Sequence, residues 1–482
     1  MDCINNIKNN INLRESLIEM KTMMSKGLSA PKDHELIFKL KELLKHEDPK
    51  VRKNTAIIIG QLTESVELLL DSYHHEETDY VKEAYLKGIS YQPVQPYIKD
   101  LKQIQEDLMH NENANTKHVQ SQLKILNPLI LQNVSHKKKM IKFYHEPIDV
   151  VLTTLPYYQF VAFEHVLHLK YKPVSQGVLV RTESLYDLQK IRVYKDMLIP
   201  IGASLLNISL SAIEEGIKKS QLLSILDKLY DDPSVIYYRV VDGMREKNTQ
   251  LVKQVSQKIF ELYPQRLLNV ETDYDIQLTL KEVKKGTINI YIQLSHLDNP
   301  RFDYRKYVIP TSMNPYVAAT LVQLAKPYMK YHGKVLDPFA GVGTLLIEKN
   351  KEVPSHFAMG VDIYNDGIEK ARKNTSLANQ TIYYVHKDAL RFSHNEMFDE
   401  IITDMPTFAQ MKDENALREL YDKFFARIPH LVKAGGYVFL YTSEISLVRK
   451  NLRLMEGYLS LEEHYDIPRG KNMFYFFIIK VK

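Results

Sequence analysis

The sequence predicts a multidomain protein in which an α-helical module is followed by an α+β region and then by an α/β domain with a mostly parallel sheet. Three observations support this prediction. The chain has 482 residues, about three times the roughly 150 residues of an average domain. About the first hundred residues carry apolar side chains at helical spacing. Strand-like runs begin after residue 147 and alternate regularly with helices from Lys334 onward.

Composition and charge describe a folded chain rather than a disordered or fibrous one. Hydrophobic residues make up 44% and charged residues 26%, which is close to the globular average. The single cysteine, Cys3, excludes a disulfide framework, a multi-cysteine zinc site and an iron–sulfur cluster, and it favours a reducing, cytoplasmic location. No run of about 18 apolar residues occurs, so we expect no membrane span. The net charge of +5 permits a polyanionic partner without requiring one.

The N-terminal module, assigned to residues 1–130, contains a short internal repeat. Apolar residues recur at helical spacing before Glu47-Asp48-Pro49, which predicts a turn into a helix over Val51 to Leu62. The stretch Glu77 to Lys82 echoes Glu47 to Arg52 at an offset of 30 residues. This pattern resembles a HEAT repeat, in which helix pairs stack into a solenoid. Two interpretations remain open: a docking surface for RNA or protein, and a helical cap on the next domain.

Residues 147–300 form the predicted α+β region. Helices are predicted over Phe160–Leu169, Ser184–Arg192 and Asn248–Leu262. The strands predicted between them are 150–154, 177–181, 235–240, 274–280 and 287–294. This interleaving of strands and helices is typical of an α+β fold.

Residues 301–482 form the predicted α/β domain. Its candidate strands are Lys334–Asp337, Phe357–Asp362, Thr381–Asp388, Phe398–Asp404, Gly436–Tyr441 and Met473–Val481. In a parallel sheet covered on both faces, ligands bind beyond the carboxyl ends of the strands, where the strand order reverses. Four of these strands end in an aspartate, and a shared active-site edge explains four such residues better than separate helix caps do. We therefore expect the following carboxylates to lie along one edge: Asp337, Asp362, Asp388 and Asp404.

The segment Asp337 to Thr344 follows a predicted strand and precedes a predicted helix. Its glycines, Gly341 and Gly343, allow the backbone to turn tightly and to approach a ligand. The segment is not a Walker loop, and it lacks the third glycine of the dinucleotide fingerprint. Asp362, 19 residues after Gly343, is placed to accept hydrogen bonds from both hydroxyls of a ribose. The pattern predicts a nucleoside ligand, and S-adenosylmethionine fits because it has no phosphate and its sulfonium favours nearby carboxylates.

Taken together, these segments resemble class I S-adenosylmethionine-dependent methyltransferases with a Rossmann-like seven-stranded domain, and most closely the THUMP-domain RNA methyltransferases that make N2-methylguanosine. The resemblance is carried by Asp337–Thr344, Gly360–Asp362, His386–Ala389 and Asp404–Pro406. It extends upstream to segments similar to the opening of the family's ferredoxin-like domain, to a THUMP strand and to the linker, namely Val151–Pro156, Tyr238–Val240 and Arg301–Tyr307. It covers about Pro147 to Lys482, so the N-terminal helices lie outside it.

The resemblance implies a cofactor site. Gly341 and Gly343 would pass beneath the methionine part of the cofactor, and Asp337 would face its ammonium group. Asp362 would hold the ribose, and Asp388 would accept a hydrogen bond from the adenine amine. The expected cofactor-binding residues are Asp337, Phe339, Gly341, Gly343, Thr344, Asp362 and Asp388.

The resemblance also implies a site for the target base. In the family, an Asp/Asn-Pro-Pro-Tyr/Phe segment, or its Asp-Met-Pro variant, holds the base that receives the methyl group. Here Asp404 and the carbonyl of Met405 would accept the two hydrogens of a guanine amine, which turns the nitrogen lone pair toward the methyl group. Thr407 stands where the family usually has an aromatic residue, and we expect Phe408 to stack on the extruded base instead. The expected catalytic residues are Asp404, Met405, Pro406 and Phe408.

The predicted function is therefore S-adenosylmethionine-dependent methylation of guanine N2 in structured RNA, either tRNA or rRNA. One alternative is a catalytically silent RNA-binding or ribosome-associated protein, which Thr407 and the helical repeat both allow. Another is a nicotinamide-dependent oxidoreductase, which the missing third glycine and Asp388 disfavour. Neither His386 nor His394 has a second ligand at a metal-binding spacing, so we expect no metal.

Overall fold

A computed structural model describes residues 2–27, 33–110, 116–133, 139–142, 146–206, 208–231, 235–264, 266–470 and 472–482. The chain folds into two compact units. The first unit comprises Met1–Met140, Gly202–Leu223 and Tyr230–His296, and the second comprises Ile141–Ile201, Ser224–Leu229 and Leu297–Lys482. Among the described residues, no helix has both the length and the apolar character that a membrane crossing requires.

The N-terminal part of the first unit is helical, as predicted. Its helices are α1 (Asp2–Lys8), α2 (Leu13–Ser25), α3 (His34–Leu43), α4 (Pro49–Leu62), α5 (Val66–His75), α6 (Asp79–Ile89), α7 (Ile98–His110) and α8 (Thr116–Asn133). Asp48 caps α4 by accepting the Lys50 backbone N–H, and Pro49 takes the first helical position, where no N–H is needed. The helices of the two repeat copies, α4 and α6, pack closely where Gly60 meets Gly88. A Cβ on Gly60 would lie only 2.3 Å from the carbonyl oxygen of Gly88.

The middle of the chain combines strands with short helices. In order they are β1 (Ile148–Thr153), α9 (Phe163–Val166), β2 (Lys170–Val174), β3 (Gly177–Thr182), α10 (Leu185–Leu188), β4 (Met197–Leu205), α11 (Leu210–Lys218), α12 (Leu222–Leu229), β5 (Ile236–Asp242), α13 (Thr249–Leu262), β6 (Leu267–Asn269), β7 (Ile276–Lys284) and β8 (Thr287–Leu294). The helix predicted over 160–169 is divided between a 3-10 turn over Gln159–Ala162 and α9, and the helix predicted over 184–192 is reduced to α10. After α9 the chain enters β2, which pairs antiparallel with β3.

Each unit contains part of this α+β region. In the first unit the strand order is β8-β7-β5-β6, with β5 parallel to β6 and to β7. Helix α8 packs there, with Val119 and Leu123 in one apolar cluster with Leu268. In the second unit the order is β2-β3-β1-β4, and neighbouring strands are antiparallel.

The C-terminal part of the second unit is an α/β domain built on a seven-stranded sheet. Its elements are α14 (Pro315–Ala325), β9 (Lys334–Asp337), α15 (Thr344–Glu352), β10 (Phe357–Asp362), α16 (Asn365–Leu377), β11 (Tyr383–His386), β12 (Phe398–Asp404), α17 (Phe408–Met411), α18 (Glu414–Leu431), β13 (Val432–Thr442), α19 (Ile445–Leu454), β14 (Leu459–Arg469) and β15 (Asn472–Val481). The strand order is β11-β10-β9-β12-β13-β15-β14. The first five strands are parallel, and β15 runs antiparallel to both of its neighbours. The predicted mostly parallel sheet is confirmed.

A buried charge network joins the linker before α14 to helix α15 within the second unit. The Arg192 guanidinium donates two hydrogen bonds of 2.7 Å to Glu348 on α15, and the Tyr304 hydroxyl donates a third of 2.5 Å to the same carboxylate. Arg301, only 5% exposed, donates to the Tyr194 carbonyl over 2.8 Å and stacks 3.5 Å from the centre of the Tyr194 ring. Since each buried charge has partners, the network fixes the linker against α15.

Candidate active site

Three of the four predicted carboxylates lie on adjacent strands at one edge of the seven-stranded sheet. Asp337, Asp362 and Asp404 are the last residues of β9, β10 and β12. The chain places β10 and β11 on one side of β9 and then crosses to β12 on its other side, so the strand order reverses between β9 and β12. This reversal, here called the crevice, is where open α/β sheets bind their ligands. Asp388 lies two residues beyond the end of β11, not within the strand as predicted.

Asp337 is a buried acid at the centre of this edge. Its Oδ1 accepts hydrogen bonds from the Thr403 hydroxyl at 2.7 Å and from the Phe339 backbone N–H at 3.1 Å. Burial, together with the charges of Asp362 and Asp404, raises the pKa of Asp337 to about 8, against the effect of those two hydrogen bonds. At neutral pH the side chain is therefore mostly protonated, and the Thr403 bond ties β9 to β12 across the crevice.

The glycine turn after β9 is held open by its backbone geometry. Gly341 has a φ of +52° and Gly343 a φ of +79°, both in the left-handed region. A Cβ on Gly341 would meet no atom within 4 Å, so the space above this residue is free. A Cβ on Gly343 would instead lie 2.3 Å from the Tyr384 hydroxyl oxygen. The turn thus needs both glycines. Gly341 leaves room for a ligand to approach the backbone from the crevice, and Gly343 leaves room for Tyr384 to pack beneath the turn.

The carboxylate of Asp362 organises this turn. Its Oδ2 accepts the Gly341 backbone N–H at 2.8 Å, and its Oδ1 accepts the Tyr364 N–H at 2.9 Å. Each oxygen retains a lone pair for a ligand hydroxyl. Asp388 accepts the Leu390 backbone N–H at 2.8 Å and is about one third exposed.

Two further residues of the predicted cofactor set lie beside the turn. Phe339 packs edge-on against Phe424, with ring centroids 5.4 Å apart, which supports the wall below the turn. Thr344 starts helix α15 and is 3% exposed, and its hydroxyl oxygen has no hydrogen-bond partner among the described residues. A buried hydroxyl without a partner is costly, and this one lies directly after Gly343.

The segment Asp404 to Phe408 leaves the sheet beside the crevice. Burial raises the pKa of Asp404 to about 7, and the positive charge of Arg469 opposes that rise. The Met405 side chain is buried, and its backbone N–H donates to the Tyr441 carbonyl at 2.9 Å. The Pro406 carbonyl accepts the Tyr421 hydroxyl at 3.0 Å. These bonds fix the backbone that follows the Asp404 carboxylate.

Thr407 and Phe408 have separate roles in the structure. Thr407 is 6% exposed and caps the short helix α17 through a capping box with Gln410. Phe408, in the first turn of that helix, is 49% exposed, and its backbone N–H donates to Glu444 at 3.1 Å. Thr407, which departs from the family pattern, therefore ends the connection between β12 and α17. The aromatic residue after it, Phe408, is half-exposed to solvent and not part of the core.

Sequence reasoning missed two residues beside Asp404. Tyr441 is paired with Asp404 in the register of β12 and β13, and its buried hydroxyl interacts with Arg469. Arg469 ends β14, with its guanidinium 5.3 Å from the centre of the Phe474 ring. The position of Tyr441 at the end of a predicted strand was a usable signal, whereas β14 itself was not predicted.

Comparison with known proteins shows which family resembles the part of the chain that carries these site residues. Residues 303–458 match the family described as the RMKL-like methyltransferase domain. We call this part of the chain the methyltransferase domain, after the family that it resembles. The match spans the positions of all the predicted site residues, and it confirms the predicted resemblance to methyltransferases.

Curated relatives of the methyltransferase domain act on guanine, according to their names. The tRNA (guanine(10)-N2)-dimethyltransferase of Methanothermobacter thermautotrophicus is 28% identical over 188 residues, which cover 37% of this chain and 53% of the relative. The U6 snRNA (guanine-N(2))-methyltransferase THUMPD2 of Bos taurus is 25% identical over 174 residues, which cover 34% of each chain. This chain thus spans about half, or less, of the length of these relatives.

Solved structures share the fold over a longer stretch. TrmN from Thermus thermophilus superposes with a TM-score of 0.54 at 17% identity, covering 70% of this chain and all of that chain. SMU.472, crystallised with SAH, superposes with a TM-score of 0.54 at 14% identity, covering 69% of this chain and 98% of that chain. The shared fold therefore extends beyond the methyltransferase domain.

Proposed function

We propose that this protein is an S-adenosylmethionine-dependent RNA methyltransferase that modifies the N2 amine of a guanine in tRNA or rRNA. The observation that carries the proposal is the row of carboxylates Asp337, Asp362 and Asp404 at the strand-order reversal of a methyltransferase domain. The names of the two curated relatives support guanine N2 as the target.

The residues beside the glycine turn fit the cofactor. Above Gly341 there is open space for a ligand that approaches the backbone, and Asp362 retains lone pairs for ribose hydroxyls. The unpartnered hydroxyl of Thr344 offers a further hydrogen bond. A bound sulfonium and ammonium group would favour the ionised form of Asp337, which is mostly protonated at neutral pH without a ligand. The structural relative SMU.472 was crystallised with SAH. Asp388 would hold the adenine amine.

The chain's own residues then orient the base. When bound, S-adenosylmethionine supplies an electrophilic methyl group on its sulfonium. The guanine amine is a weak nucleophile because its lone pair is delocalised into the ring, so orientation is the main contribution of the protein. Asp404 and the Met405 carbonyl accept the two amine hydrogens and turn the lone pair out of the ring plane. As the nitrogen gains positive charge, the ionised Asp404 stabilises it and takes up the released proton.

Phe408 is the proposed stacking surface for the extruded base. Phe408 is 49% exposed and follows the capped turn at Thr407, so its ring is accessible rather than packed into the core. Stacking on an aromatic side chain is how enzymes that act on extruded bases hold them. Pro406, held through its carbonyl by Tyr421, keeps the segment rigid.

The other parts of the chain are proposed to serve RNA binding. The α+β region of β5 to β8 corresponds to the proposed THUMP domain, and the preceding strands correspond to the ferredoxin-like domain. The paired helices α4 and α6 support a HEAT-like module that contacts RNA or protein. The single cysteine accords with a cytoplasmic location.

Substitution Asp404→Ala tests the proposal. We expect methyl transfer from radiolabelled S-adenosylmethionine to total tRNA and rRNA to be lost, while cofactor affinity measured by calorimetry is unchanged, because Asp404 contacts the base rather than the cofactor. Asp422→Ala, which removes an acid on the outer helix α18, is the matched control and should leave turnover unchanged. Cofactor and RNA binding by the wild-type protein without any methyl transfer would indicate a silent RNA-binding protein.

A further inference from the structure

The loop after β1 presents two aromatic side chains to solvent. Tyr157 is 79% exposed and Phe160 is 49% exposed, although aromatic rings of this size ordinarily gain from burial. Both residues belong to the ferredoxin-like part of the second unit and have no part in the crevice already described. Exposed aromatic residues placed together are typical of a binding surface.

Tyr157 also adopts a backbone conformation that tyrosine disfavours. Its φ is +72°. Pro156 precedes it, and the Tyr158 N–H donates to the Leu155 carbonyl at 3.1 Å. This is the pattern of a type II turn, whose third position favours glycine or asparagine. Packing does not offset the strain, since the ring is almost fully exposed. Strain that folding does not repay is concentrated at functional sites.

Neighbouring residues hold this turn against the methyltransferase domain. The ring of Tyr158 is 7% exposed, and its hydroxyl donates to the Asp466 carbonyl of β14 at 2.8 Å. The ring also packs edge-on against Tyr465, with centroids 6.1 Å apart. On the other side, the Gln159 amide donates to the Val174 carbonyl at 3.2 Å. Tyr157 and Phe160 therefore project from a fixed support.

Strand register places Asp466, which holds the Tyr158 hydroxyl, at the same end of the strands as the crevice. Asp466 is paired with Tyr475 on β15, and Tyr475 is paired with Thr442 on β13. Asp404 is paired with Tyr441, the residue before Thr442. Asp466 and Asp404 are thus almost level and three strands apart, about 14 Å at the usual strand spacing of about 4.8 Å.

The adjoining edge strand adds positive charge. Lys170 and Lys172 on β2 are both exposed, and Gln159 bonds to the end of that strand. Aromatic rings beside exposed cations are the combination with which proteins bind single-stranded nucleic acid without reading its sequence. This charge favours RNA over an apolar protein partner.

We propose that Tyr157 and Phe160 form a stacking platform for an unpaired base that flanks the target guanine. The proposal rests on the proposed function, since it assigns a second contact to the same RNA strand. The platform binds the flanking nucleotide while Asp404 receives the extruded one. Each ring contributes to RNA affinity and leaves the chemical step unchanged.

Substitution Tyr157→Gly gives the sharpest test, because it removes the ring and relieves the backbone strain at once. We expect its affinity for a fluorescein-labelled single-stranded RNA of mixed sequence to fall at least about fivefold, the lower range for loss of one stacked base. Its melting temperature should equal or exceed the wild-type value. In methylation of bulk tRNA, KM should rise while kcat stays constant. Phe160→Ala should weaken RNA binding in the same way, and Tyr157→Phe should retain it.

Tyr331→Ala is the matched control. Tyr331 is 65% exposed and precedes β9, at the amino ends of the strands, so its loss should not alter RNA binding. If Tyr157→Gly and Phe160→Ala bind RNA and methylate tRNA as the wild type does, the platform is rejected, and this outcome also follows if the surface binds a protein instead. If the wild-type protein transfers no methyl group but Tyr157→Gly still weakens RNA binding, the proposed function fails and the platform stands as an RNA contact alone.

Discussion

The pKa of Asp404 predicts a specific dependence of methyl transfer on pH. A carboxylate accepts the amine hydrogens and the developing positive charge better than a neutral acid does, so activity should follow the ionised fraction of Asp404. With a pKa of about 7, about one tenth of the side chain is ionised at pH 6 and about nine tenths at pH 8. The value of kcat/KM should therefore rise about tenfold over this interval.

Substitution of Arg469 should shift this pH dependence of kcat/KM. Its positive charge lowers the pKa of Asp404 against the effect of burial, so Arg469→Gln should shift the midpoint of the acid limb to higher pH. Arg453→Gln, an exposed arginine on α19, is the matched control and should leave the midpoint in place. Asp404→Asn should give low activity that does not vary across the interval.

The assay is initial-rate methylation of bulk tRNA at constant ionic strength between pH 5.5 and 9, with cofactor affinity measured at each pH. Constant ionic strength matters because salt screens the effect of Arg469. Two results would refute the reasoning. One is a rise of kcat/KM around pH 7 that persists in Asp404→Asn. The other is a midpoint of this rise in Arg469→Gln that equals the wild-type midpoint or lies at lower pH.

Two further predictions concern the stability of the crevice. The folded-state pKa of Asp337, about 8, lies above its ordinary value, so the contribution of Asp337 to wild-type stability should fall by up to about 5 kcal/mol as pH rises from about 4 to about 8. Asp337→Asn avoids this loss and should melt above the wild type at pH 8, with the difference shrinking toward pH 4; an unchanged difference would contradict this. Gly343→Ala should lower the melting temperature, since its Cβ would meet Tyr384, whereas Gly341→Ala should lower it less and instead weaken calorimetric binding of S-adenosylmethionine.

The sequence predicted the strands of the crevice with little error, because short buried apolar runs that end in aspartate have a strong pattern. The bounds of β9, β10 and β12 match the predicted ones. Strand β14 was missed because most of its residues are polar and exposed at a sheet edge, where no apolar alternation is required. Arg469 was missed for the same reason.

The contacts within the site could not be predicted from the sequence. Asp362 was expected to hold a ribose, and in the structure its carboxylate accepts the Gly341 N–H. This bond depends on backbone geometry that periodicity does not encode. Thr407 looked like a lost aromatic residue, yet it closes a capping box with Gln410, and the Thr-x-x-Gln spacing was a signal for that contact in the sequence.

The buried carboxylate of Glu348 limits how this chain can be divided by protein engineering. Arg192, its cationic partner, lies more than a hundred positions upstream, at a separation of 156 residues. A recombinant fragment that begins at residue 301 would leave Glu348 uncompensated at a cost of about 3–5 kcal/mol. The smallest portion worth expressing alone therefore includes the strands around Arg192. Insertion of a foreign domain between Arg192 and Tyr304 must preserve the hydrogen bonds of both residues to Glu348.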